Sequence, residues 1–323
     1  MSVKSLEDLL RATGSAVKLL RNSQTGPYVY PVVPPEYTNW RDEQRGWAET
    51  CVLFNQSYHM TDMYLRGPDA LKLVTHLGVN SVKGFEPNKA KQFVACNHEG
   101  YVIGDVVLFY LDKDLFNFVG RPSVHNWVQY NAETGGYNVT CERDERAAVR
   151  TGPIERKAYR FQVQGPNALK LIEKLTGSKV PDIKFFNMTS FTIKGRTVRA
   201  LRHGMAGQPG FEVFGPWAEG EEVRQAILET GKEFGIRAVG ARAYSSNTLE
   251  SGWIPSPLPA VYSSEKLKAY REWLPANGYE AIASLGGSFV SEKIEDYYLT
   301  PYDLGYGNIV KFDHDFVGRG ALE

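Results

Sequence analysis

The seven residues Gly67-Pro68-Asp69-Ala70-Leu71-Lys72-Leu73 return ninety-eight positions later as Gly165-Pro166-Asn167-Ala168-Leu169-Lys170-Leu171. A chain with a duplicated interior must build two related units, and the register of the echo persists well beyond the heptapeptide. Gly67 to Gly120 spans 53 residues and Gly165 to Gly215 spans 50; Glu133-Thr134-Gly135 and Glu229-Thr230-Gly231 then end 15 and 16 residues further on. In each copy an alternating strand (58–66; 158–164) runs into Gly-Pro, where the fixed φ of proline suits a first helical turn, and a short amphipathic helix follows. Further strands are expected at 91–97, 102–111 and 115–119 in the first copy and at 188–193, 197–203 and 211–214 in the second. A second helix (123–134; 217–234) and a closing strand (137–142; 236–239) complete each copy. Strand, helix, strands, helix, strand is the ferredoxin-like or split βαβ order. The expected class is therefore α+β, two pseudo-symmetric antiparallel-sheet units with a crevice between them where ligands commonly lie.

Outside the copies the character changes. Residues 4–21 show helical spacing through Leu6, Leu9, Leu10, Val17 and Leu20, whereas the prolines within 25–35 exclude helix there. At 323 residues the chain has length for about two domains. The division expected is residues 1–50 with 151–265 as one discontinuous α+β domain, 51–150 as a ferredoxin-like second, and 266–323 as a connecting segment. The closing stretch Phe316-Val-Gly-Arg-Gly-Ala-Leu-Glu323 starts a helix and stops after one turn, too short to be stable alone, which leads to the expectation of a fragment.

Composition removes several function classes. Net charge is zero with Lys and Arg scattered, so no basic face for nucleic acid and no polybasic membrane segment is expected. The longest apolar runs fall far short of the ~20 residues that cross a bilayer. Three widely spaced cysteines without a secretory leader suit a reducing cytoplasm. The six histidines are isolated, so no metal is expected, and the sequence has no phosphate loop, no Gly-x-Gly-x-x-Gly opening a helix and no Gly-x-Ser-x-Gly elbow.

Candidate site residues are those that break the internal symmetry. Gln56, Tyr58 and His59 cluster at the start of the first duplicated strand, while the second copy has Arg156-Lys157-Ala158 there. An interior histidine and a surface glutamine would look the same from sequence. Glu212 sits between Phe211 and Val213 after the glycine-rich 204–210 loop, where a carboxylate could accept hydrogen bonds from a guanidine-like ring or simply occupy an edge strand. Arg121 follows the strand-closing Gly120, placed either to hold a carboxylate bidentately or to start a surface helix. Tyr28, Tyr30, Tyr244 and Trp253 offer ring surface and polar tips, although among 18 tyrosines most serve packing.

Longer strings carry a resemblance. Arg21-Asn-Ser-Gln-Thr-Gly-Pro-Tyr-Val-Tyr-Pro31, Gln56-Ser-Tyr-His-Met60, Pro87-Asn-Lys-Ala-Lys-Gln92, Leu201-Arg-His-Gly-Met-Ala-Gly207, Ser246-Asn-Thr-Leu-Glu-Ser-Gly-Trp-Ile-Pro-Ser-Pro-Leu-Pro259 and Ala269-Tyr-Arg-Glu-Trp-Leu-Pro-Ala276 are together similar to the T-protein (aminomethyltransferase) family of the glycine cleavage system. Within it they resemble the tetrahydrofolate-dependent aryl O-demethylases of vanillate and syringate. That resemblance implies an aminomethyltransferase fold with a C-terminal barrel after Glu323, and tetrahydrofolate as methyl acceptor in the channel between the repeats. It further implies Glu212, Gln164, Trp253 and Asp105 as cofactor-binding residues, and Arg121, Gln56 and Tyr28 as substrate-binding residues. Tyr244, His59 and Tyr30 would be catalytic, the partner a small aromatic acid, and the protein a monomer or weak homo-oligomer. The run Gly100-Tyr-Val-Ile-Gly-Asp105 keeps one acidic residue where aminomethyltransferases typically show two adjacent aspartates, which disfavours glycine-cleavage chemistry. An aminomethyltransferase and a non-catalytic folate-binding module remain the alternatives.

Overall fold

The computed structural model describes residues 3–23, 30–149, 154–254 and 257–323. Eleven strands form among them: β1 (Cys51–Asn55), β2 (Thr61–Arg66), β3 (Lys89–Cys96), β4 (Val102–Asp112), β5 (Leu115–Gly120), β6 (Thr140–Asp144), β7 (Ala158–Gln164), β8 (Met188–Ile193), β9 (Arg196–Arg202), β10 (Gly210–Pro216) and β11 (Ile236–Val239). The helices are α1 (Leu6–Thr13), α2 (Ala16–Arg21), α3 (Trp40–Glu49), α4 (Ala70–Leu77), α5 (Pro122–Thr134), α6 (Ala168–Thr176), α7 (Gly220–Gly231), α8 (Ala241–Ser251), α9 (Lys268–Trp273) and α10 (Arg319–Leu322). The strands make a six-stranded sheet of order β11-β1-β7-β10-β9-β8 and a five-stranded sheet of order β3-β4-β5-β2-β6.

Most elements lie within a residue or two of expectation, and the departures have physical causes. The helix expected over 4–21 is two helices, because Gly14 adopts φ +71° and caps α1 while the Ser15 hydroxyl accepts from Lys18 N–H and opens α2. A split βαβ unit needs a parallel central pair, but β2 and β5 run antiparallel, since three strands rather than two separate α4 from α5. The domain boundary expected at residue 51 falls one strand early: β1 pairs parallel with β11 and antiparallel with β7, so it belongs to the six-stranded sheet.

Period-two alternation sorts the strands into layers. Tyr159, Phe161 and Val163 of β7 join Phe211 and Val213 of β10 in a core under α6 and α7. Met63 and Leu65 of β2 enter the larger core shared with α1, α4 and α5. The opposite faces of these strands carry Asp62, Arg160, Gln162, Gln164 and Glu212, all nearly fully buried. Between the sheets they adjoin a small apolar cluster in which Phe109 and Val119 meet Leu201 and Phe214. The space between the sheets is thus a mixed polar and aromatic layer.

The repeated Gly-Pro corner is a backbone contact in both places. Gly67 has φ +143°, and a Cβ there would lie 2.3 Å from the Asn138 carbonyl oxygen; Gly165 has φ +124°, and its Cβ would meet the Thr50 carbonyl oxygen at 2.7 Å. Neither clash is with a side chain that can turn away. Gly67→Ala and Gly165→Ala are each expected to lower unfolding free energy by about 2–3 kcal/mol, read as a shifted urea midpoint, whereas Gly136→Ala at an open positive-φ turn should cost about 1 kcal/mol.

Candidate active site

Three sequence-distant segments converge around Tyr244. It lies one turn into α8, whose start is fixed by Glu43, a fully buried carboxylate that accepts from the backbone N–H groups of Gly240 (2.8 Å), Tyr37 (2.6 Å) and Thr38 (2.8 Å). Trp47 of α3 donates from Nε1 to Glu250 at the other end of α8 (2.9 Å). The Tyr244 hydroxyl is 3.0 Å from His59 Nε2 and accepts from Gln56 Nε2 at 3.3 Å. Tyr30 stacks on the His59 ring (centroids 4.5 Å, 26° between planes), meets Tyr244 edge-on, and donates its hydroxyl proton to the Asn55 carbonyl (2.8 Å). Gln56 and His59 sit in the turn between β1 and β2 rather than on a strand, since β2 begins only at Thr61. That turn is held by β7: Gln56 N–H donates to the Arg160 carbonyl (2.9 Å) and Arg160 N–H to the Ser57 hydroxyl (2.9 Å).

The His59 imidazole is neutral. Burial first, then the nearby Arg121 and Arg156 charges, bring its pKa down to about 3. Arg121 is the N-cap of α5, ahead of Pro122 at the first helical position, and its carbonyl contacts His125 Nδ1 (2.8 Å). The buried Gln56 Oε1 has no hydrogen-bond donor among the described residues. Tyr28 lies outside the described residues.

The four residues expected to hold the cofactor fall in two groups. In the first, Glu212 of β10 takes Arg160 Nη1 on Oε1 (2.8 Å), while its Oε2 lies 4.0 Å from His203 Nδ1. Gln164 fixes the 204–210 loop with both ends of its amide, Nε2 donating to the Met205 carbonyl (3.1 Å) and Oε1 accepting from Met205 N–H (2.8 Å). Gln162 repeats this one step along β7, with Nε2 on the His203 carbonyl (2.8 Å) and Oε1 near its ring (3.1 Å). The Met205 sulfur, 4.0 Å from Gln56 Nε2, links this loop to the Tyr244 cluster.

The second group belongs to the five-stranded sheet. Asp105 on β4 accepts from Gln92 Nε2 (2.6 Å) and from the Tyr306 hydroxyl (3.4 Å), which in turn accepts from Trp253 Nε1 (2.7 Å). Burial raises the Asp105 carboxyl to about 6 against the opposing effect of these donors. Gln92, Arg160, Gln162, His203 and Tyr306 were not singled out in the sequence. The signal for the β7 residues was the run Ala-Tyr-Arg-Phe-Gln-Val-Gln, in which every second residue is polar in an otherwise buried strand. Among the described residues no group of three His, Cys, Asp or Glu side chains is arranged to hold a metal.

The family model described as the GCVT N-terminal domain matches residues 22–256. The chain belongs to the GCVT family. A protein named syringate O-demethylase, from a Sphingobium species, is 57% identical over 99% of this chain and 69% of its own length. Sesamin methylene transferase from a Sinomonas species is 31% identical over 90% of the chain and 63% of its own length, and an aminomethyltransferase from Halothermothrix orenii is 28% identical over 90% and 69%. The chain thus spans about two thirds of the length of these relatives. The crystal structure of glycine cleavage system aminomethyltransferase T from Bartonella henselae shares the fold, with a TM-score of 0.57 at 18% identity over 87% of this chain and 73% of its own. The chain is a mixed α+β GCVT-type fold with two sheets. No helix among the described residues is long and apolar enough to cross a membrane.

The raised Asp105 pKa gives a signed pH dependence. A carboxyl at about 6 in the fold and 3.8 when unfolded leaves stability intact below about 3.8 and diminishes it as pH rises through about 6. Asp105→Asn is therefore expected to melt about 3 °C above the parent at pH 8, with the margin narrowing steadily between pH 6 and pH 4, by differential scanning fluorimetry. A constant difference across that range would show that the carboxyl ionises normally. His59 has the opposite sign: the fold keeps its imidazole neutral down to about pH 3 while the unfolded chain protonates below 6.5, so its contribution to stability falls as pH drops below 6.5, and its ring resonances are expected not to titrate between pH 5 and 8.

Proposed function

We propose that this chain is a tetrahydrofolate-dependent aryl O-demethylase, transferring the methyl group of a methoxybenzoate such as syringate or vanillate to N5 of tetrahydrofolate. The observation that carries the reading is the Tyr244 hydroxyl held between His59 Nε2 and Gln56 Nε2 and edged by Tyr30, in a chain 57% identical to a syringate O-demethylase. In this reading the aryl O–CH₃ bond breaks as the N5–CH₃ bond forms, the nitrogen gives up its proton, and the phenolic oxygen gains one.

The folate supplies the nucleophilic nitrogen; the chain supplies position and protons. A pterin edge rich in N–H donors fits the Glu212 Oε2 and the 204–210 loop, in which Gly204 and the Gln208 carbonyl approach too closely for any side chain at 204. Gln164 and Gln162 hold that loop, and Asp105, with Trp253 and Tyr306, forms a second polar station on the facing sheet. Arg121, close enough to affect His59, receives the carboxylate of the aromatic acid, as a guanidinium does best. Holding the two reacting rings in line contributes up to roughly 7–11 kcal/mol to the barrier reduction. A tyrosine hydroxyl, of pKa near that of a phenol, is matched to proton transfer with a phenolate leaving group, worth about 10²–10⁴ in rate. Neutral His59 orients the Tyr244 hydroxyl through the hydrogen bond at Nε2. The two sheets are read as products of the internal duplication: β1 inserts between β7 and β11, and without it the two strand orders correspond. Residues 51–55 then join the discontinuous domain of 1–50 and 151–265, and 266–323 pack on the second.

Anaerobic incubation with syringate or vanillate plus tetrahydrofolate is expected to yield the corresponding phenol, with none when folate is omitted. Absence of product from both acids would remove the reading, and transfer from an aminomethyl-loaded lipoyl carrier protein would favour an aminomethyltransferase. Tyr244→Phe is expected to lower kcat by about 10²-fold or more with tetrahydrofolate affinity kept. Arg121→Ala should raise the KM of the aromatic acid by roughly 10- to 100-fold, since loss of a charged hydrogen-bond partner costs about 1.5–3 kcal/mol. Equal use of a methoxyphenol without the carboxylate by the parent protein would refute that role.

A further inference from the structure

The least expected feature between the sheets is a run of buried ion pairs. Arg160 Nη2 pairs with Asp62 Oδ1 (2.8 Å) and its Nη1 with Glu212 Oε1 (2.8 Å). Arg156 pairs with the other oxygen of Asp62 (3.0 Å) and with Asp144 (2.9 Å), and donates from Nη1 to the Ser57 carbonyl (2.8 Å). Asn117 Nδ2 adds a donor to Asp62 Oδ1 (2.9 Å). The Arg160 guanidinium also lies over two rings, Phe109 of the five-stranded sheet at 4.8 Å and Phe214 of the six-stranded sheet at 4.9 Å. Its Nε also donates to Asp62 Oδ1 (3.3 Å), so all three guanidinium nitrogens are held, and the two rings it lies against touch each other edge to face.

Joining two sheets does not require this arrangement. A buried ion pair is often no more stabilising than apolar side chains of the same volume, because desolvation offsets most of the attraction. The apolar cluster of Phe109, Val119, Leu201 and Phe214 already bridges the sheets beside the network. What the charges accomplish, and an apolar filling could not, is to fix a carboxylate whose second oxygen is left uncommitted: Oε1 of Glu212 is taken by Arg160, while Oε2 is within hydrogen-bond distance of no donor among the described residues. An uncommitted carboxylate oxygen of this kind suits a group presenting N–H donors.

We infer that Arg160 is a positioning residue for the tetrahydrofolate site, anchored by Asp62 and the two phenylalanine rings so that Glu212 presents Oε2 to the pterin in one orientation. This rests on the folate reading above, and it adds to that reading how the carboxylate is aimed. The opposed carboxylates of Asp62 and Glu212 push the Arg160 guanidinium further up despite its burial, and the two guanidiniums keep Asp62 below the usual carboxylate range although burial alone would raise it. Arg160 and Asp62 thus hold each other in their charged forms.

A lysine at 160 retains the charge but cannot reach Asp62 and Glu212 as a fork. By isothermal titration calorimetry with tetrahydrofolate, Arg160→Lys is expected to weaken binding about 10-fold and Glu212→Gln at least 10-fold, while the KM of the aromatic acid changes less than 2-fold in Arg160→Lys. The deciding measurement is the double variant. If Arg160 acts through Glu212, Arg160→Lys adds less than a 2-fold further loss in the Glu212→Gln background. Should Arg160→Lys fail to fold, Asp62→Asn, which keeps the Arg160–Glu212 pair and frees its anchor, is expected to weaken binding 3- to 10-fold, again only when Glu212 is present. Parent-like affinity in the foldable variant of the two, or losses that multiply in the double variant, would overturn the assignment and leave the folate reading intact. A parent protein that does not bind tetrahydrofolate would overturn both.

Discussion

Arg160 is the point where the two sheets, the turn bearing Gln56 and His59, and the carboxylate of Glu212 meet. Its side chain joins Asp62 of β2 to Glu212 of β10, while its backbone carbonyl and N–H hold the 55–57 turn. One residue thus ties the carboxylate of Glu212 to the segment that carries the proposed proton relay. The arrangement follows from the period of a strand. Once Phe161 and Val163 are committed to the core below, Arg160, Gln162 and Gln164 must face the other sheet, and each finds its partner on an element brought there by topology.

The same layer explains the electrostatics of the site. Interior groups are screened weakly: burial, with the Arg121 and Arg156 guanidiniums, holds His59 neutral, while Arg160 and Arg156 keep Asp62 ionised. A neutral imidazole beside a tyrosine hydroxyl can donate to it or accept from it, according to tautomer, without adding a buried cation. Asp105 lies apart from the guanidiniums, and burial raises its pKa instead. Two carboxylates, Glu212 and Asp105, therefore have different partners: the first is paired with arginine, the second is held by neutral donors.

The strands were legible because Gly-Pro corners and alternating residues mark them locally; 158–164, 188–193 and 236–239 coincide with β7, β8 and β11. β1 was not, since Cys51-Val-Leu-Phe is a continuous apolar run with no alternation, a consequence of burial on both faces between β7 and β11. The break between α1 and α2 was hidden because Gly14 interrupts an apolar spacing that continues on the far side. Within the site, Gln56 and His59 stood out as departures from internal symmetry, and the structure brings both to Tyr244. Arg160, Gln162 and His203 did not stand out, because their meaning lies in partners forty or more residues away, Glu212 and Asp62 above all. Trp253 and Glu212, grouped together by resemblance, belong to separate clusters on facing sheets, a separation that only the packing reveals.

The central claim is transfer of an intact methyl group from a phenolic oxygen to a folate nitrogen. It is tested most directly by following syringate labelled with ¹³C in its methoxy carbons, together with tetrahydrofolate, by ¹³C NMR in the presence of the protein. The account predicts that the methoxy resonance decays as an N-methyl resonance with three attached protons grows in equal amount. Appearance of the label as methanol or as a folate methylene, or its retention on the ring, would contradict it.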